Sequence, residues 1–141
     1  MKTVPLNPDD LLLVEEAKQK ISNLYEENKH HVGAALRTST GKIISGVHLE
    51  AYIGRVAICA EAITIGSMIS SGEKEFTTIV AVLHPSSDEQ DQEVKVVSPC
   101  GICRELIADY SPKCMVIIEE GRSLIKVPIQ SLLPFKYSRE D

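Results

Sequence analysis

Residues His31–Gly46 read HVGAALRTSTGKIISG, and how they fold decides the architecture of the chain. Val32 to Arg37 and Ile43 to Val47 are two short, largely apolar runs. Ser39-Thr40-Gly41 between them is turn chemistry. The stretch therefore predicts an antiparallel hairpin. Upstream, Asn7-Pro8 is an N-cap followed by proline at the first helical position. Leu11, Val14, Lys18, Ile21 and Tyr25 follow spacings of three and four, with Leu24 beside them, which predicts an amphipathic helix to about Glu27. Downstream, Tyr52-Ile53-Gly54-Arg55 reads as a loop. A mostly apolar helix is expected from about Ile58 to Ser71, covered on most sides, with Gly72 as its C-terminal cap. Phe76 to Leu83 is rich in β-branched residues and reads as a central strand. Pro85 to Glu93 is a polar, acidic loop, and Val94 to Val97 a short strand or an extended approach. Ser98-Pro99 again reads as N-cap plus proline, opening a helix to about Tyr110. Met115 to Ile118 and Leu124 to Val127 are strands on either side of a Gly121 turn. Pro128 opens a short final helix before the polar tail PFKYSRED. Strands alternating with helices after an antiparallel start imply an α/β fold whose mixed sheet is covered on both faces.

A chain of 141 residues suits one domain, 1–141, with a real core. The net charge of −5, without a basic run, argues against nucleic acid as a partner. No apolar run approaches a membrane span. Pro and Asp occupy the N-terminal MKTVPLNPDD where a signal peptide would be apolar, so a cytoplasmic protein is expected. There, four cysteines are metal ligands or reactive thiols rather than disulfides.

The chemistry concentrates in two helix starts, Cys59-Ala60-Glu61 and Cys100-Gly101-Ile102-Cys103, the second preceded by Pro99. Cys100 and Cys103 share a helix face, with Cβ atoms about 5–6 Å apart. Tetrahedral zinc needs its sulfurs roughly 3.8 Å apart, a gap those side chains can close. Cys59 completes three thiolates, with two helix N-termini aimed at the metal. Three protein ligands leave one zinc position open to water, the mark of a catalytic site. Glu61 then has a purpose, to move a proton from that water to a substrate. Residues i and i+2 do not share a helix face, so Cys59 and Glu61 converge only if Cys59 stands at the extreme start of its helix. Cys114 is a fourth ligand or, more commonly, a buried free thiol. The C-G-I-C pair by itself would also fit a dithiol redox motif, and three cysteines also fit structural zinc. Glu61 and the Cys-Ala-Glu at a second helix start separate the catalytic reading from both.

These motifs, CAE followed by SPCGICR, resemble the zinc nucleobase deaminases. With HVGAALRTSTGKIISG and the later SLLP, the chain is similar over nearly its whole length to the small cytidine deaminases. NKHHVGAALRTSTGKIISGVHLEAYIGRVAICAEAITIG is more narrowly similar to the blasticidin S deaminases, a group within that family. The resemblance implies a three-layer α/β/α sandwich with a mixed five-stranded sheet, one zinc per chain, and a homotetramer whose pockets are completed by neighbours. It implies hydrolytic loss of the cytosine 4-amino group, zinc hydroxide attacking C4 while Glu61 protonates N3 and then the leaving amine. Backbone groups near Ala60 and Ser98 would hold the cytosine edge. The alternative substrate is cytidine or deoxycytidine.

The chain departs from the cytidine deaminase pattern in three places. His48-Leu49-Glu50 stands where the family has N-x-E at the ribose, and His30 stands where it has a phenylalanine at the base. Both changes fall where sugar or base should sit and favour an altered substrate. Glu50 remains a candidate for a hydroxyl or a cationic substituent. His30 and His48 are substrate contacts or ordinary polar hairpin residues, and His31 is expected to face solvent. Tyr52 lines the pocket or a subunit interface. Ala62 follows the catalytic glutamate where relatives place arginine, which leaves Arg55 or Arg104 to balance the zinc–thiolate charge. Arg104 is expected only to anchor locally.

Overall fold

The computed structural model describes residues 2–139. Met1, Glu140 and Asp141, the ends of the expected single domain and the last two residues of the tail, lie outside the described residues. The elements are β1 (Val4–Pro5), α1 (Pro8–Leu24), β2 (Val32–Thr38), β3 (Ile43–Val47), α2 (Ala60–Ser70), β4 (Phe76–Leu83), β5 (Lys95–Val97), α3 (Gly101–Tyr110), β6 (Met115–Glu120) and β7 (Ser123–Pro128). Single 3₁₀ turns cover Gly54–Val56 and Ile129–Leu132, the second where a short final helix is expected. None of the described helices is long and apolar enough to cross a membrane.

The hairpin forms as its turn residues dictate, pairing Gly33 with Val47 through Arg37 with Ile43. β2 also pairs antiparallel with β4, and β4 pairs parallel with β6. The sheet runs β1-β7-β6-β4-β2-β3, with β5 added to β4. It therefore has seven strands, not the expected five. β1 is only two residues long, too short for any periodicity to register, and adds a rung against Ile125 and Lys126. β5 realises the extended approach to Ser98 by pairing Lys95–Val97 with the end of β4.

The apolar character of β4 on both faces is used as alternation requires. Val80 and Val82 join Leu13, Val14, Ala17 and Ile21 of α1 on one side. Ile79 joins Ile65 and Met68 of α2 and Ile107 of α3 on the other. Helices on both faces of one sheet make the three-layer sandwich. α1 is held at its start by a capping box between Asn7 and Asp10. Asp10, itself buried, also meets Lys126 of β7 at 2.8 Å.

Two glycines set how closely the helices approach. A Cβ on Gly46 would lie 3.0 Å from the Thr64 hydroxyl oxygen, so α2 rests directly on β3. A Cβ on Gly33 would lie 2.8 Å from the Ala17 carbonyl oxygen and 2.9 Å from Ile21 Cβ. Neither is the far end of a flexible side chain, so α1 must move to admit a methyl group. Gly33→Ala is expected to cost about 1–3 kcal/mol. A urea midpoint equal to the parent's would contradict that packing.

Candidate metal centre and active site

β4 shares one edge between two partners. Thr78 and Ile79 pair with β6, while Ala81 to Leu83 pair with β5. β5 leads directly into Ser98, Pro99 and Cys100 and so delivers the start of α3 to the carboxyl end of β4. From the other side, an isolated bridge between Leu49 and Ile58 closes the loop before α2 and delivers Cys59. The two helix starts meet there.

Both helices begin later than their sequence signals suggest. α2 begins at Ala60 with Cys59 as its N-cap, where a start near Ile58 is expected, and α3 begins at Gly101 with Cys100, not Ser98, as its N-cap. Each cysteine has extended backbone, with ψ of 151° and 169°, and neither sulfur caps its helix. Ser98 and Pro99 misled because that pair also fits extended chain. Cys59 at the N-cap meets the geometric requirement for it to share a site with Glu61.

The Sγ atoms of Cys59, Cys100 and Cys103 all lie within 4.8 Å of one another, the only such metal-ligating group among the described residues. Cys59 and Cys100 are 3.7 Å apart, near the separation tetrahedral zinc requires. Cys103 is the deep member at 1% exposure, and Cys100 is exposed. Burial raises the Cys59 and Cys103 thiols above their ordinary pKa. Burial also acts to raise Cys100, but the Cys103 backbone N–H and the neighbouring thiols bring it below its ordinary value. Three soft donors packed this tightly repel one another as thiolates unless a cation joins them, so the donor set fits zinc. Cys114 is buried outside the cluster, its thiol pushed up to about 12 by burial.

Glu61, in the first turn of α2, is 5% exposed. Burial raises its carboxyl above the usual range, partly offset by the Cys103 thiol. A carboxyl shifted upward in this way takes up and holds a proton more readily than a free one, as a group that shuttles protons must. Glu61 lines a cavity of about 260 Å³ with Cys59, Cys100, Ala60, Ser98 and His48. Its apolar walls include Val32, Ile58 and Val97, placed there by β2, the Leu49–Ile58 bridge and β5 respectively.

Other residues predicted for the substrate do not line that cavity. His30, Glu50 and Tyr52 border an adjoining one of about 430 Å³. Tyr52 is fully exposed. His48 stands between the two, with Nε2 at 3.8 Å from Glu50 Oε2. Burial lowers the His48 pKa, as does His31, while Glu50 acts to raise it. His31 is half-buried rather than facing solvent. Its Nε2 accepts the Asn28 backbone N–H at 2.9 Å, and its ring meets Tyr25 edge-on. Tyr25 stacks on His84, and Glu27 accepts from the Ser87 backbone N–H at 3.1 Å and from its hydroxyl. The acidic loop is thereby tied to the turn before β2, a role local motifs do not signal. A larger cavity, about 620 Å³, lies at the opposite end of β4, lined by Arg37, Ser111, Cys114 and Lys126 but by none of the three clustered cysteines.

Arg104 donates through Nε to the Pro99 carbonyl at 2.8 Å and through Nη1 to the Leu132 carbonyl at 3.3 Å, a local anchor before Cys100. Arg55 is exposed on the first 3₁₀ turn and, among the described residues, makes no hydrogen bond or ion pair.

Residues 8–119 match the family model described as the cytidine and deoxycytidylate deaminase zinc-binding region. The chain is 63% identical over 139 residues to a blasticidin-S deaminase of Bacillus cereus, covering 99% of each. It is 36% identical over 110 residues to a probable cytidine deaminase of Dictyostelium discoideum, covering 78% of this chain and 70% of that one. Among solved structures, the cytidine deaminase from Bacillus anthracis superposes with a TM-score of 0.77 at 25% identity, over 92% of this chain and 89% of that one.

Proposed function

This chain belongs to the cytidine and deoxycytidylate deaminase family, and from that premise we infer a zinc-dependent aminohydrolase whose substrate is blasticidin S. The observation that carries the substrate is the 63% identity, over nearly both full lengths, to a protein named for that deamination. Its consequence would be resistance to the antibiotic, and its setting the cytoplasm.

Cys59, Cys100 and Cys103 would hold one zinc ion, three sulfurs already gathered within 4.8 Å. Bound zinc supplies a Lewis acid that brings water toward ionisation near neutral pH. Glu61 takes the proton that water gives up and passes it to N3 of the cytosine, then serves the departing amine. In sum, the C4–N bond breaks, ammonia leaves, and the oxygen of water stays on C4 as the new carbonyl. Backbone groups at Ala60 and Ser98 would hold the edge of the base, both being walls of the same cavity. The cavity of about 260 Å³ is near the small end for a ligand site. The base would fill it, and the rest of the nucleoside would extend toward His30, Glu50 and Tyr52. The two helix N-termini favour the anionic thiolate cluster. Arg55, which makes no hydrogen bond or ion pair among the described residues, would balance the remaining charge.

The family resemblance gives a homotetramer with pockets completed by neighbours. Support comes from the uncovered outer face of α2, where Ile69 is 41% exposed, and from exposed Ile53 and Val56 nearby in the loop before it. The α2 helix was expected to be covered on most sides; one chain leaves that face to solvent. The deciding experiment compares kcat/KM for blasticidin S and cytidine by loss of cytosine absorbance. At least a tenfold preference for blasticidin S is expected, about 1.4 kcal/mol of transition-state discrimination. A preference for cytidine would move the chain to the pyrimidine-salvage reading.

A further inference from the structure

The acidic loop between β4 and β5 is fastened at one carboxylate. Tyr25, the C-cap of α1, donates its hydroxyl to Glu27 Oε1 at 2.7 Å. Glu27 Oε2 accepts the Ser87 backbone N–H at 3.1 Å and the Ser87 hydroxyl. These donors, the Ser87 hydroxyl first, hold the Glu27 carboxyl well below the usual carboxylate range, so the clasp is charged at neutral pH. Tyr25 also stacks on His84 just after β4, with ring centroids 3.8 Å apart. Further bonds carry the fastening from Ser87 to β5. Gln92 Nε2 donates to the Ser86 and Glu89 carbonyls at 2.9 and 2.7 Å. Asp91 accepts the Glu93 backbone N–H at 2.9 Å and pairs with Lys95 Nζ at 3.3 Å. Lys95 opens β5, which pairs with β4 only from Lys95 to Val97. Val97, Ser98 and Cys100 then wall the cavity that holds Glu61. So short a ladder opens easily by itself, and what holds its entry sets how firmly it sits. Cys100 has a separate tie through the Arg104 bond to the Pro99 carbonyl. Ser98 follows β5 directly and takes its place from it.

We propose that Glu27 is a positioning residue for the deamination: its clasp on Ser87 fixes β5 and, through β5, the Ser98 backbone that meets the base. Glu27 also borders the outer cavity with His30, Glu50 and Tyr52. Both of its oxygens are engaged by Tyr25 and Ser87, so it acts through Ser98 and not on the substrate. The effect on the base rests on the deaminase reading; the fastening of β5 does not.

Glu27→Ala is expected to keep one zinc per chain and a kcat within about twofold of the parent's. KM for blasticidin S and Kd for cytidine should both rise about tenfold, because both present the same cytosine edge. Amide hydrogen exchange in β5 should quicken about tenfold while that in β6 stays parental. Faster exchange in both strands would mean a general loss of stability, and a rise confined to one nucleoside would mean a direct contact with substrate. Either result would overturn the positioning role, as would a parental KM in folded Glu27→Ala. Ser87→Ala is an exposed change that removes the hydroxyl donor alone. It should raise KM about threefold, and it decides the matter if Glu27→Ala does not fold: a parental KM there overturns the role. In the double variant the two effects should not add, since both break one clasp, and additive effects would overturn the link to Ser87. A parent protein that binds no zinc and deaminates no cytosine nucleoside would instead remove the deaminase reading. Exchange in β5 of both variants then decides the fastening by itself, and parental rates would overturn it.

Discussion

Glu61→Gln is expected to bind one zinc per chain and to lose kcat by about 10³–10⁴-fold, the upper part of the range a positioned acid–base group commands. The amide fills the same buried space at the start of α2 and removes only the ionisable oxygen. Glu61 is the one carboxyl in the cavity with the thiols, and every proton in the replacement of amine by oxygen must pass through a group so placed. The loss corresponds to about 4–5 kcal/mol of transition-state stabilisation. KM should move little, because in the proposed binding mode the base edge is read by backbone at Ala60 and Ser98, which line the same cavity. Zinc analysis beside the kinetics separates this outcome from a collapsed site. A variant with intact zinc and parental kcat would show that proton transfer runs through another group.

Cys103→Ser should abolish both zinc retention and turnover. Cys103 is the buried corner of the thiol triangle, packed with Ile65, Met68 and Ile107 between α2 and α3. Serine offers a hard, protonated oxygen where a soft thiolate is needed. Zinc affinity should therefore fall by more than about 100-fold, beyond the effect of losing an outer partner of a metal ligand. The new hydroxyl is also buried without an assigned acceptor, an additional cost of about 1–3 kcal/mol. Thermal melts with and without added zinc make the check. Zinc should raise Tm for the stripped parent through mass action and leave the variant unmoved. A variant that still melts higher with zinc would mean that Cys59 and Cys100 suffice, or that Cys114 enters the site.

The hairpin at His31–Gly46, the span of β4 and the local motifs Cys59-Ala60-Glu61 and Cys100-Gly101-Ile102-Cys103 were all legible in the chain, because each depends on neighbours within a few residues. Turn chemistry at Ser39-Thr40-Gly41 makes the hairpin, and a continuous apolar run makes a strand buried on both faces. The misread helix start at Ser98-Pro99 shows where that logic ends. The same pair serves an N-cap or an extended approach, and the choice falls to β5 pairing with the far half of β4. β1 carries no periodic signal at all and exists only because β7 offers an edge.

What the sequence determined by itself was the chemistry available: three thiols and a carboxyl at two helix starts, in a fold covered on both faces. The tertiary structure decided which atoms meet. Cys59 and Cys100, 41 residues apart, stand 3.7 Å from one another because β4 divides its edge and a bridge at Leu49 turns the chain back. His48 Nδ1 accepts from backbone amides 16 and 17 residues earlier, and His31 is withdrawn from solvent by Tyr25 and Asn28. Periodicity and capping act over one or two turns of chain, whereas register and hydrogen bonding across a sheet are settled only when distant segments compete for the same edge.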